Sequence, residues 1–267
     1  MSRLLVLGGG KMGGALVAGL IRSGWIEPAD CAVVEPLADR REVLEGRFPG
    51  LRTSPAPLGT DDAIVAVKPA DAEAACRSLE PPQAGARRRV MSIAAGVTTA
   101  QLESWLWPGA AVLRAMPNTP ATVGASASAV AGGSLAGEDD LAWAEGILSS
   151  IGVVVRVQEK LMDAVTGLSG SGPAYVFLLA EAMIEAGVLV GLDREVSRVL
   201  SVQTLLGAAR MLHQSDEPAE TLRAHVTSPG GTTAAGLQAL EDRALRAAVM
   251  AAVAQATARS AELGRSS

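Results

Sequence analysis

The amino-terminal part of the chain alternates short apolar runs with polar or glycine-rich stretches. The runs are four to seven residues long, as expected for parallel strands that helices cover on both faces. Helical patterns separate several of them, so the sequence predicts an α/β fold with a doubly wound sheet. The predicted strands are Leu4–Leu7, Cys31–Val34, Ala63–Val67, Val90–Ile93, Ala111–Ala115, Ala125–Ala131 and Val153–Val157.

Beyond Gln158 the pattern changes. From Leu161 onward there is no strand signal, only helical runs rich in Ala, Leu, Val and Met, broken by glycine, proline and polar clusters. We therefore predict an α/β domain over residues 1–158 and an all-helical domain over residues 159–267.

The helix predicted after Pro173 is apolar almost all round. Such a helix must be buried on every side, and a domain of this size cannot easily enclose it alone. We expect a homodimer formed through the helical domain. Glu181 and Glu185 lie one turn apart on this helix; they are more easily explained as its least buried face than as a catalytic pair, and they argue against a membrane span.

Composition narrows the functional class. The chain has 267 residues, 49% of them hydrophobic, and a net charge of −5, which gives no basic field for nucleic acid. Cys31 and Cys76 are expected to be buried reduced thiols, and His213 and His225 have no second ligand at metal spacing. The apolar run before the first glycines is too short for a signal peptide. We expect a soluble cytoplasmic protein without a metal site.

The first strand runs directly into a glycine-rich turn. Gly8, Gly10 and Gly13 satisfy G-x-G-x-x-G, with Lys11 and Met12 between the last two. These glycines form the turn, admit a pyrophosphate to the backbone and let the helix pack on the strand. The strand before the motif and the apolar helix after it favour dinucleotide binding at these five residues over a turn that only packs a helix against the sheet.

The second strand ends in Glu35, an acidic residue that can hold a ribose 2′-hydroxyl. The Glu35 carboxylate would repel the 2′-phosphate of NADPH, whereas Arg40 and Arg41 could attract that phosphate. The alternative for the two arginines is a solvated helix face without a ligand. The residues therefore leave NADPH and NADH both open, with local charge leaning to NADH.

The carboxyl ends of parallel strands line the ligand crevice of an open sheet. Two loops should flank the nicotinamide half of the coenzyme there, and the loop after the fifth predicted strand adds Asn118, for which local hydrogen bonding is the alternative. The predicted coenzyme contacts are Ala66, Val67, Lys68, Pro69, Ala94, Ala95, Gly96 and Asn118.

The stretch from Ser228 to Thr233 resembles an anion cradle. Pro229 fixes its own φ, and Gly230 and Gly231 can take backbone angles that let successive N–H groups converge. A helix follows, and we expect Thr232 and Thr233 to cap it. A turn with a helix cap and no ligand is the alternative.

A nicotinamide coenzyme brings its own hydride, so the protein must place an electrophilic carbon against it. The lysines are Lys11, Lys68 and Lys160, so the helical runs from Leu161 onward contain none to serve as the base of a hydroxyacid dehydrogenase. A protonated imine is an easier electrophile because it carries its own positive charge.

Together these motifs resemble the pyrroline-5-carboxylate reductase family over nearly the whole chain. The residues that carry the resemblance are the glycine motif, Ala66–Pro69, Ala94–Gly96, Met116–Pro120, Leu168–Tyr175, Pro218–Leu222 and Val226–Glu241. The resemblance implies a Rossmann domain followed by an interlocked helical dimer domain, often assembled as a ring of five dimers. It also implies reduction of 1-pyrroline-5-carboxylate to L-proline by NADPH or NADH, the last step of proline biosynthesis.

Carried onto this sequence, the resemblance implies that Ser228 and the backbone of the Gly230–Thr232 turn hold the substrate carboxylate. It places the Thr233 hydroxyl near the ring nitrogen. Glu35 stands where many members have a small polar residue that receives the 2′-phosphate. In the family, an acidic residue is frequent at the position of Ala224, and a Glu close to the substrate occupies the position of Asp216. The alternatives are a reductase of a related cyclic imine or 2-oxo acid and a non-catalytic dinucleotide sensor.

Overall fold

The computed structural model describes residues 2–83 and 87–266. Its centre is an eight-stranded sheet of order β3-β2-β1-β4-β5-β6-β7-β8. In the described part of the chain, β6 and β7 are antiparallel and the other neighbouring pairs are parallel. The strands are β1 (Ser2–Leu7), β2 (Cys31–Val34), β3 (Arg52–Ser54), β4 (Thr60–Val65), β5 (Arg89–Ser92), β6 (Ala111–Met116), β7 (Ser126–Gly132) and β8 (Gly152–Arg156).

Helices fill the connections between the strands and make up the chain beyond β8. They are α1 (Lys11–Arg22), α2 (Ala38–Arg47), α3 (Ala72–Arg77), α4 (Thr99–Trp105), α5 (Glu138–Ser149), α6 (Met162–Val165), α7 (Gly172–Leu189), α8 (Arg194–Gln214), α9 (Ala219–His225), α10 (Thr232–Asp242) and α11 (Leu245–Ser266). Short 3₁₀ turns occur at Pro28–Asp30, Pro69–Asp71, Thr119–Val123 and Glu159–Leu161, and a π-helical turn at Thr166–Gly170.

Each of the seven predicted apolar runs coincides with a strand; Cys31–Val34 has the predicted ends, and one or both ends of each of the other six are shifted. The sequence did not predict β3, whose residues Arg52–Ser54 are polar. This strand is short, lies at the edge of the sheet and pairs with β2 alone in the described structure. An edge strand of three residues needs no apolar alternation, because little of it is covered.

The sheet is covered on both faces, as the apolar runs predicted. One core contains Leu16 of α1, Leu44 of α2 and Ile147 of α5. The other contains Cys76 of α3 and Leu102 of α4. The α/β doubly wound prediction is therefore confirmed, and the carboxyl ends of β1, β2, β4, β5 and β6 share one edge of the sheet.

Both cysteines are buried in this sheet layer and unpaired. Burial raises the pKa of the Cys31 thiol to about 12 and that of the Cys76 thiol to about 12, the latter against a small lowering by Arg77. Each thiol ionises near pH 9 in the unfolded chain but only near pH 12 in the folded chain, so its contribution to stability is fully present below about pH 9. This contribution is lost as the pH rises from about 9 towards 12. At neutral pH both thiols are protonated and shielded from reagents.

The chain divides into two compact units, one of which is Gly172–Val253 and the other the chain before and after it. The carboxyl-terminal part of α11 belongs to the unit that contains the sheet. Ser260 Oγ donates to Asp163 Oδ1 at 2.8 Å, and a Cβ built on Gly264 would lie 2.8 Å from the carbonyl oxygen of Gly96. The predicted domain boundary between residues 158 and 159 stays a prediction.

The unit Gly172–Val253 is helical, in agreement with the sequence. Helices α7 and α8 approach closely at Gly187, where an added Cβ would lie 2.1 Å from Ser197 Oγ, and that hydroxyl donates to the carbonyl of Ile184 at 2.6 Å. Asp193 caps α8 by accepting from Val196 N at 2.9 Å.

Within the single chain, α7 has no buried residue. Leu178, Leu189 and Val190 are 67%, 86% and 79% exposed, so an unusually large apolar surface is uncovered. By length and composition alone, the helical stretch Glu159–Leu189 could cross a membrane.

Candidate active site

The turn between β1 and α1 is built by glycine geometry. Gly8 has φ +107°, and a side chain there would lie 2.7 Å from the carbonyl oxygen of Ala66. A Cβ on Gly13 would lie 2.0 Å from the carbonyl oxygen of Gly8. Neither position can hold another residue without moving backbone, so the first turn of α1 packs directly on the end of β1.

The amino terminus of α1 is open. Gly10 is its N-cap and provides no side-chain cap, so the first N–H groups of the helix lack intrahelical acceptors. An added Cβ at Gly10 meets no described atom within 4 Å. The protein thus leaves space beside unsatisfied N–H groups and the positive end of a helix dipole, which suits a pyrophosphate.

Two cavities lie at this edge of the sheet, of about 600 Å³ and about 620 Å³. Lys11 and Met12 line the first, and Gly8 and Glu35 line the second. Their shared lining is Gly10, Arg40, Ala66, Val67 and Lys68. Most of the predicted coenzyme residues are therefore brought together, and they fit a dinucleotide that extends across the glycine loop.

Six of the predicted coenzyme residues line neither cavity: Gly13, Pro69, Ala94, Ala95, Gly96 and Asn118. Ala94, Ala95 and Gly96 follow β5 at the same sheet edge, where Gly96 has φ +79°. Pro69 begins the 3₁₀ turn after Lys68. Contact of these residues with a coenzyme stays a prediction.

The side chain of Asn118 connects its own loop to the start of β7 and to the π-helical turn. Its Nδ2 donates to the carbonyl of Ser169 at 2.9 Å, and its Oδ1 accepts from Ala127 N at 3.0 Å and Ser126 Oγ at 3.2 Å. Asn118 is 8% exposed. The structure gives it local bonds that hold the Met116–Pro120 loop to the π-helical turn, and its predicted contact with coenzyme is untested.

The stretch after α9 forms a tight turn. Gly230 has φ +66°, and Gly231 N donates to the carbonyl of Ser228 at 3.0 Å. The prediction that Thr232 and Thr233 cap the next helix is wrong. Gly231 is the N-cap of α10, in extended conformation and without a side-chain cap, and the two threonines occupy the first turn.

The amino terminus of α10 is therefore more open than the sequence predicted. With glycine at the N-cap, no side chain occupies the first N–H groups, which have no acceptor within the helix. Ser228, Thr232 and Thr233 are exposed in the chain. The turn and the helix start together can accept a small carboxylate.

Asp216 lies in the exposed turn between α8 and α9, and among the described residues no recorded hydrogen bond joins it to the cradle. Its neighbour Glu217 approaches His225, with Oε2 3.5 Å from Nδ1. This pair connects the turn to the end of α9, just before Ser228. The substrate-proximal role of Asp216 stays a prediction.

Sequence reasoning missed an ionic network around the buried Arg114, beside α4. The side chain of Arg114, 7% exposed, lies 3.5 Å from Glu159 Oε1 and 3.7 Å from Asp163 Oδ1. Glu159 also accepts from Thr99 N at 2.6 Å. These partners come from distant parts of the sequence, so no local motif could reveal them. In the described residues no cluster of three His, Cys, Asp or Glu side chains could hold a metal ion.

The parallel sheet, the glycine turn and the open helix terminus at its edge define a dinucleotide-binding oxidoreductase. Two family models match the chain. Residues 3–96 match the NADP oxidoreductase, coenzyme F420-dependent family, and residues 159–263 match the pyrroline-5-carboxylate reductase dimerisation family.

Relatives extend this similarity over the whole chain. A pyrroline-5-carboxylate reductase of Synechocystis is 43% identical over 98% of both chains, and one of Arabidopsis thaliana is 39% identical over 97% of this chain and 95% of its own. A solved pyrroline-5-carboxylate reductase of Coxiella burnetii superposes with a TM-score of 0.91 at 36% identity, covering 98% of both chains. The Plasmodium falciparum pyrroline carboxylate reductase with NADP bound gives 0.85 at 31% identity, again over 98% of each. The chain belongs to the pyrroline-5-carboxylate reductase family.

Proposed function

We propose that this protein reduces 1-pyrroline-5-carboxylate to L-proline with a hydride from NADPH or NADH, the last step of proline biosynthesis. The observation that carries the proposal is the uncapped start of α10 after the Ser228–Gly231 turn, in a chain that also has an open glycine loop for a dinucleotide. Family membership over 98% of the chain supports it.

When bound, the reduced coenzyme supplies the hydride that adds to the imine carbon. The N–H groups of Gly10 to Met12, at the start of α1, bind its pyrophosphate. Ala66, Val67 and Lys68 form the wall that the two cavities share, and this wall excludes water from one side of the coenzyme. These residues bind or orient the coenzyme, and none of them acts as a base.

The α10 terminus orients the substrate. Ser228 and the N–H groups of the Gly230–Thr232 turn bind the carboxylate, and Thr233 Oγ1 accepts a hydrogen bond from the protonated ring nitrogen. The imine carbon gains the hydride, the C=N bond becomes a single bond, and the nitrogen keeps its proton. The substrate needs no strong acid from the enzyme because its own positive charge is neutralised by the transfer.

The direct test is the rate of pyrroline-5-carboxylate reduction with NADPH and NADH in parallel. We expect oxidation of the reduced coenzyme that depends on the imine, with L-proline as the only amino acid formed. The same assay with piperideine-carboxylate and small 2-oxo acids separates the proposal from a reductase whose pocket has drifted. Tight coenzyme binding with no turnover of any imine would instead identify a dinucleotide sensor.

We further propose a homodimer formed through the helical unit, with the ring of five dimers as one possible assembly. The dimerisation family match and the exposed apolar side chains of α7 support it. Light scattering at micromolar concentration should give an even multiple of the chain mass, 27.2 kDa. A monomer that keeps full activity under those conditions would contradict the proposal.

The apolar stretch Glu159–Leu189 lies entirely within the dimerisation match. A subunit interface accounts for its composition, and we propose a soluble, cytoplasmic enzyme without nucleic-acid partners. Functionally, we assign coenzyme binding to residues 1–158 and dimerisation with substrate binding to residues 159–267.

A further inference from the structure

The carboxyl end of β2 holds a buried carboxylate beside the glycine loop. Glu35 is 4% exposed. Its Oε2 accepts from Gly9 N at 3.2 Å, and its Oε1 accepts from Leu37 N at 3.1 Å. Two backbone N–H groups from different loops therefore fix both oxygens, so the carboxylate cannot turn away from a ligand without losing a hydrogen bond.

At Gly9, the glycine loop lies close to the Glu35 side chain. A Cβ built on Gly9 would lie 3.3 Å from Glu35 Cβ and 2.7 Å from Leu44 Cδ1. The loop that approaches a pyrophosphate and the carboxylate at the end of β2 thus form one packed unit.

Neither nearby arginine is positioned for a phosphate in this arrangement. Arg41 Nη1 donates to the carbonyls of Glu35 and Pro36, both at 2.8 Å. Arg40 Nη1 lies 3.9 Å from Glu35 Oε2, with its side chain 60% exposed. Arg41 therefore supports the backbone of the loop, and the charge of Arg40 is opposed by that of Glu35.

Glu35 and Arg40 line the same cavity of about 620 Å³. The apolar residues of its lining include Pro57, Val67 and Ala75. At the ends of β1, β2 and β4, this is the position of the adenosine half of a dinucleotide. The apolar lining residues suit an adenine, and Glu35 lies where the ribose of a bound dinucleotide would be.

We propose that Glu35 makes this protein prefer NADH to NADPH, a specificity that rests on the dinucleotide use in the proposed function. The carboxylate accepts a hydrogen bond from a ribose 2′-hydroxyl, whereas a 2′-phosphate would place a second negative group against a buried, immobile one. Arg40 is the residue that would bind the phosphate once the opposing carboxylate is removed.

The test uses the purified full-length protein and measures both the Kd of each reduced coenzyme and the ratio of their kcat/KM values. The wild type should favour NADH by at least about tenfold. Glu35→Ser should shift the ratio towards NADPH by about tenfold or more, and adding Arg40→Ala to that variant should remove the gain in NADPH binding. Arg40→Ala alone should change the weak NADPH binding little.

Two further variants separate charge from structure. Glu35→Gln keeps the size of the side chain and removes its charge, so it should shift the ratio in the same direction even if the serine variant folds poorly. Glu42→Ser removes one negative charge from the exposed face of α2, lines neither cavity, and should leave the ratio unchanged.

A wild type that prefers NADPH, or a Glu35→Gln ratio within about twofold of the wild type, would overturn the proposal. An equal shift in Glu42→Ser would do the same, because it would reduce the effect to net charge. The Kd values need no imine. A protein that binds NADH preferentially through Glu35 but turns over no pyrroline-5-carboxylate would refute the proposed function and leave this inference standing.

Discussion

Gly13→Ala should lower the free energy of unfolding by about 3 kcal/mol and abolish measurable coenzyme binding. A methyl group at this position would lie 2.0 Å from the carbonyl oxygen of Gly8. The obstructing atom is backbone, so no rotamer change relieves the contact and α1 must move away from β1. Thermal denaturation at fixed protein concentration and a fluorescence titration with NADH measure the two effects.

Two neighbouring glycines provide the controls. An added Cβ at Gly14 would meet only the carbonyl oxygen of Gly9, at an ordinary 3.8 Å, so Gly14→Ala should keep or raise stability because alanine favours the helix by about 1 kcal/mol. Gly10→Ala should lower the melting temperature only slightly, since no described atom lies within 4 Å and the cost is that of alanine at an N-cap, yet weaken coenzyme binding at least about tenfold by filling the space for the pyrophosphate. Equal stability of the Gly13 and Gly14 variants would show that the loop is not rigid.

The glycine loop was predictable because its chemistry is local. A strand, a turn and a helix start follow each other directly in the sequence, and each of Gly8, Gly10 and Gly13 has a backbone role that neighbouring residues reveal. The buried strands were equally predictable, because most of their covered positions are apolar. The β3 edge strand lacks that pattern, and its polar residues gave no signal.

At the start of α10, a local motif was not enough to predict which residue is the N-cap. The sequence Gly-Gly-Thr-Thr fits a cap at any of several positions, since both glycine and threonine are accepted at the N-cap. Only the backbone angles decide, and they place Gly231 there with both threonines inside the helix. The difference of one residue leaves the first N–H groups open to a ligand.

Other features depend on contacts between distant residues. The bond between Ser260 and Asp163 spans 97 positions, and the close approach of Gly264 to Gly96 joins the last helix to the loop after β5. The fixed position of the Glu35 carboxylate likewise depends on Gly9 N, 26 residues away. A single sequence predicts which residues are suitable for such contacts, but tertiary packing determines which of them meet.

Thr233→Val should reduce kcat/KM for pyrroline-5-carboxylate by about 5- to 150-fold, equivalent to about 1–3 kcal/mol of transition-state stabilisation. Valine has nearly the shape of threonine and lacks the hydroxyl, so the change removes the proposed contact with the ring nitrogen. Thr233 lies in the first turn of α10 and provides no cap. The helix therefore loses no capping bond, and stability should change little.

Steady-state kinetics with the imine varied at saturating coenzyme measure the effect, and the coenzyme Kd should stay constant. Thr233→Ser keeps the hydroxyl and should retain most of the activity. A loss confined to KM would mean that the hydroxyl binds substrate and transition state equally, whereas a fall in kcat would mean that its bond strengthens as the hydride is transferred. If valine and serine both retain wild-type kcat/KM, the hydroxyl has no part in the reaction, and the open N–H groups of α10 hold the substrate without it.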